Sequence, residues 1–75
     1  MTFKEAFDLV DAGQGRWDVQ RSNTMIIAGQ ILRTATGFVL YDWLGQRMGT
    51  FDAIDDALRT LLHATNQEFR HRGAA

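Results

Sequence analysis

The sequence predicts an α+β domain: a short N-terminal helix, an antiparallel meander of three or four strands, and a C-terminal amphipathic helix packed on one sheet face. Three observations carry this expectation. Apolar residues recur at helical spacing at both ends of the chain, they alternate with polar residues in its centre, and glycine-containing turns separate the central runs. At 75 residues there is room for one core, so residues 1–75 read as a single domain, with about 67–75 a disordered tail.

Taken in order, Phe3, Ala6, Phe7 and Val10 fall at i, i+3, i+4 and i+7, which collects apolar side chains on one helical face and predicts a helix over residues 3–12. Thr2 and Glu5 have the spacing of a capping box, and Gly13 suits a helix C-terminal turn. From Arg16 the period falls to two: Trp17 and Val19 alternate with Asp18 and Gln20 before the turn-forming pair Ser22-Asn23. Met25 to Leu32 reads either as one long strand bulged at Gly29 or as two short strands hinged there. Thr36-Gly37 marks a turn, Phe38 to Trp43 is the clearest strand, and Leu44-Gly45-Gln46 leads to an antiparallel return over Arg47 to Phe51. Ile54, Ala57, Leu58, Leu61 and Leu62 form the strongest helical stripe, with Asp52 as the expected N-cap and order expected to fade after Asn66.

Composition bounds the function. Hydrophobic residues make up 45% of the chain and charged residues 23%, which is globular and unlike a disordered segment. The longest uncharged stretch, Ser22 to Leu32, is too short to span a bilayer, and the N-terminal residues lack the apolar run of an export signal. With no cysteine there is neither a disulfide framework nor a cysteine zinc site, so a cytoplasmic protein without membrane, metal or cofactor is expected. Net charge is −1, which provides no global field for nucleic acid, although Arg16, Arg21, Arg33 and Arg47 make the middle mildly basic between acidic flanks.

No combination of residues reads as catalytic. His63 and His71 are eight residues apart, and two ligands do not complete a zinc site. Asp52, Asp55 and Asp56 complement the positive end of a helix dipole. Gly13-Gln14-Gly15 precedes a strand, the reverse of a phosphate-binding loop, and Ser22 lacks a nucleophile elbow. What stands out instead is a mixture of rings and guanidinium groups on predicted strands: Trp17, Arg33, Tyr41, Trp43 and Arg47. Alternation puts Val39, Tyr41 and Trp43 on one face and Phe38 and Leu40 on the other, so one large apolar set faces outward unless both faces are covered.

Gly37 to Asp42, followed by Arg47-Met48-Gly49-Thr50-Phe51-Asp52-Ala53-Ile54-Asp55-Asp56-Ala57, resembles part of the AP2-type DNA-binding domain. The resemblance covers Gly37 to Ala57 and is most distinctive at Gly49-Thr50-Phe51-Asp52. It implies a three-stranded sheet with a packed helix, the sheet laid in the major groove, and contacts made by Arg33, Arg47 and Trp43.

The expectation from the residues themselves is a small non-enzymatic interaction or regulatory domain, of the compact type bacteria and their phages encode, binding a protein partner or a second copy through Trp17, Arg33, Tyr41, Trp43 and Arg47. The alternative is a nucleic-acid-binding module that uses the antiparallel sheet.

Overall fold

The structure, a computed structural model, describes the backbone of residues 6–74 and the side chains of residues 6–65. Among the described residues five strands, β1 (Phe7–Gly13), β2 (Arg16–Arg21), β3 (Ile27–Thr34), β4 (Gly37–Asp42) and β5 (Arg47–Phe51), precede a long helix, α1 (Ile54–Ala74). The strands form a single antiparallel sheet in sequence order, so every strand pairs with its chain neighbour. The described residues are therefore mainly β, and the expected α+β arrangement, a helix over residues 3–12 with three or four strands, is corrected: Phe7–Gly13 is a strand, which gives a five-stranded sheet followed by a C-terminal helix.

The correction falls on Phe7–Gly13, which is strand and not helix. Its spacing fits a helix, but a helix of about ten residues is marginal because nucleation is costly. A hairpin competes successfully here because Gln14 and Gly15, with φ of 54° and 74°, make the two-residue turn whose twist matches paired strands. Asp11 Oδ1 accepts the Gly13 N–H at 2.7 Å and Ala12 bulges out of the ladder, so the turn is supported from its own strand. The expected capping box of Thr2 and Glu5 lies outside the described residues.

Register assigns each side chain to a face. Leu9, Val19, Gly29 and Asp42 lie in one cross-strand row, Asp11, Trp17, Ile31, Leu40 and Gly49 in the next, and both rows face the helix. Val19, Ala28, Ile31 and Leu40 are buried there against Ala57, Leu58 and Leu61 of α1. Every buried side chain among the described residues is apolar. The aromatic rim consists of Trp17 and Phe38, whose ring centres are 6.0 Å apart at 56°, with Phe51 packed alongside.

Two bulges shape the sheet for its helix. Val19 pairs with Gly29 but Gln20 pairs with Ile27, so Ala28 is the additional residue and both Ala28 and Gly29 turn toward the core. Met25 to Leu32 is thus a loop end followed by one long bulged strand. In β5 the register shifts past Met48, which packs on the same core. Gly29 itself is required by close approach: a Cβ there would sit 2.5 Å from the Tyr41 carbonyl oxygen and 3.2 Å from a Leu61 methyl.

Helix α1 packs chiefly on β3, β4 and β5. Ile54 is its first residue and the Ala53 carbonyl accepts the Ala57 N–H, so Asp52 stands one residue outside the cap position while Asp55 and Asp56 occupy the first turn. The helical backbone continues to Ala74, and the side chains of the expected tail lie outside the described residues.

Two stability outcomes follow from this packing. Leu61→Ala should cost about 2–5 kcal/mol in urea unfolding, because Leu61 is fully buried where α1 meets Gly29 of β3. Gln14→Asn should raise stability by up to about 1 kcal/mol, because Asn occupies the left-handed region more readily than Gln. A lower unfolding midpoint for Gln14→Asn would contradict the turn assignment.

Candidate interaction surface

The sheet face away from α1 has no second layer among the described residues. Two cross-strand rows run over it from β2 to β5: Asp18, Gln30, Tyr41 and Arg47, and beside them Arg16, Leu32, Val39 and Thr50. Val10 extends the first row onto β1. Val39 is only 7% exposed although it points away from the helix, because Leu32 and Thr50 flank it across the strands and Tyr41 follows on its own strand. The centre of this face is thus apolar at Leu32 and Val39, and polar groups surround it.

Charge is distributed asymmetrically along the first row. Asp18 lies on β2, where its Oδ1 accepts from Gln30 Nε2 at 3.3 Å. Arg47 lies at the other side on β5, where its guanidinium donates to Thr50 Oγ1 at 2.8 Å. A shallow depression of about 370 Å³ lies between, lined by Arg16, Asp18, Gln30, Leu32 and Tyr41 among others.

One end of the sheet is apolar as well. In an up-and-down meander the β2–β3 and β4–β5 connections emerge at the same end. Met25 and Ile26 in the first are 86% and 59% exposed, and Leu44 in the second is 72% exposed, with Ile27 and Trp43 next to them also exposed. Both connections are held in fixed shapes. Thr24 Oγ1 donates to the Arg21 carbonyl at 2.8 Å and accepts the Ile26 N–H at 3.1 Å, and Asn23 takes a left-handed φ of 64°. Asp42 Oδ1 accepts the N–H groups of Leu44 and Gln46, both at 2.9 Å, while Gly45 turns the chain with φ of 80°. Five large apolar side chains are therefore presented to solvent at one end on ordered turns.

The five residues singled out from the sequence separate in space. Tyr41 and Arg47 are cross-strand partners on the open face. Trp17 and Arg33 lie on the helix face, Trp17 half-buried in the core rim and Arg33 exposed at the strand end, its N–H donating to the Gly15 carbonyl at 2.7 Å. Trp43 leaves the alternation because β4 ends at Asp42, and it sits in the β4–β5 turn. Sequence reasoning overlooked Met25, Ile26 and Leu44, although an apolar pair directly after a turn and a leucine inside a glycine turn are both unusual for solvated connections. It also overlooked Asp18 and Gln30, whose place in the row depends on register.

Among the described residues no three of His, Asp or Glu come together as metal ligands, and no helix is long and apolar enough to cross a membrane. No protein-family model, curated protein or solved structure matches this chain.

The Asp42 carboxylate is the organising group of the β4–β5 turn. Asp42→Ala should cost about 1–2 kcal/mol through the loss of two charge-assisted acceptor contacts, whereas Asp42→Asn, which keeps an acceptor oxygen, should retain most of that stability. Equal urea midpoints for Asp42→Ala and the native chain would show that the turn holds without it.

Proposed function

We propose that this chain is a non-enzymatic interaction domain of the cytoplasm that binds a protein through the open face of its sheet. The observation that carries this reading is the apolar centre at Leu32, Val39 and Tyr41, left without a second layer among the described residues on a sheet whose loop end also exposes Ile27 and Trp43. Protein interfaces have such a desolvated centre, enriched in aromatic residues, inside a polar rim. Asp8, Asp18, Arg16 and Arg47 supply the rim here.

Nucleic-acid binding is the weaker reading. The arginines that would contact phosphates are divided between the two faces, Arg16 and Arg47 on the open one and Arg21 and Arg33 on the helix side, and Asp8 and Asp18 share the open face with the first pair. A phosphate-binding surface concentrates positive charge on one side.

Site-specific photo-crosslinking in cells tests the surface. A photoreactive phenylalanine analogue in place of Tyr41 should give discrete protein adducts, and the same group in place of Asp55, exposed on α1, should give none. Equal adducts from both positions, or none from either, would overturn the reading; nucleic-acid adducts at position 41 would favour the alternative.

A further inference from the structure

We infer that the open face is covered by a second copy of this chain, related by a two-fold axis that runs along the strands between β3 and β4. This rests on the reading of that face as an interaction surface and names its occupant.

The inference comes from the arrangement of each row. With neighbouring strands about 4.8 Å apart, the midpoint of a β2-to-β5 row lies between β3 and β4. An axis there, parallel to the strands and lying between two face-to-face sheets, exchanges β2 with β5 and β3 with β4. In the first row it sets Asp18 of one copy opposite Arg47 of the second copy, and Gln30 opposite the second copy's Tyr41. In the second row it sets Leu32 opposite the second copy's Val39, joining the two apolar centres. Each pairing occurs twice, as a closed isologous interface requires. Two sheets stacked in this way lie about 10 Å apart, a distance that these side chains fill from both sides.

A separate feature selects the same axis. Motion along the strands is unchanged by this rotation, so both copies keep their apolar ends together. The β2–β3 loop of each copy then lies beside the β4–β5 turn of the other, and Met25 and Ile26 meet the second copy's Trp43 and Leu44. An axis running across the strands would also bring opposite charges together, Asp18 against the second copy's Arg16. It would, however, lay the Gln30 amide on Leu32 and send the two apolar ends to opposite sides of the dimer. Only the axis along the strands accounts for the charges, the apolar centre and the exposed loops together.

Charge exchange in the full-length chain tests this, read by sedimentation equilibrium with circular dichroism as the check on folding. The native chain is expected to dimerise, and Asp18→Arg or Arg47→Asp alone should weaken association by about tenfold or more through like-charge contacts. Combining the two substitutions restores the pair in reversed sense and should recover the dimer. A native chain that stays monomeric to roughly 100 µM, or a double variant no better than the singles, overturns the inference. Rescue of Asp18→Arg by Arg16→Asp instead of Arg47→Asp overturns the axis proposed here.

The absence of native cysteine permits a second measurement on an otherwise unaltered interface. Met25→Cys and Leu44→Cys chains, mixed and oxidised, should form a disulfide-linked dimer faster than either chain alone, and equal rates count against the arrangement. If the purified chain is monomeric while position 41 still gives adducts to other proteins, the dimer is wrong and the interaction surface stands. If position 41 gives no adducts, the interaction reading itself fails.

Discussion

The contact between Leu61 and Gly29 constrains the rest of the structure. A helix can settle onto a sheet only as closely as the side chains between them permit, and here one strand position has no side chain at all. Leu61 uses that space and is fully buried, with Ala57 and Leu58 completing the stripe over Ile31 and Leu40. The position of the helix over β3, β4 and β5 follows from this close approach, and β1 beyond the buried Phe7 is left open, so that Leu9 faces the helix side yet remains 42% exposed.

The bulges complete the same adjustment. At Ala28 and at Met48 one additional residue turns toward the helix, which adds core contacts where a regular ladder would alternate outward. Bulges also increase local twist, which bends the strands that carry them. The consequence on the other face is functional. Because the phase of alternation changes at these points, Ile27 joins Gln30 and Leu32 on the open face, and Arg47 joins Tyr41. The pattern of the open face is thus set partly by the needs of the core behind it.

Among the described residues a five-stranded sheet with α1 on one side has its other face unlayered, and the sequence has filled that face with apolar groups at the centre and charges at the sides. Solvation alone would favour polar residues at Leu32 and Val39. Their presence connects the packing to the proposed role, since a sheet face of this composition gains free energy when another surface removes it from water.

Local pattern by itself determined β2, β4, β5 and α1: the alternation of Trp17 and Val19, the aromatic and β-branched run from Phe38, and the stripe from Ile54 to Leu62 each have one periodicity that suits them. It also placed Phe38 and Leu40 opposite Val39 and Tyr41. Tertiary structure decided the rest. Phe7 to Val10 satisfies helical and extended spacing alike, and pairing with β2 through a left-handed turn settled it as strand. Whether Met25 to Leu32 was one strand or two depended on which residue bulged, and that choice came from the fit of Ala28 and Gly29 beneath Leu61. The grouping of Asp18, Gln30, Tyr41 and Arg47 into one row was likewise invisible along the chain, because it depends on the registers of three strand pairs, and those registers are set by turns and bulges acting across the sheet.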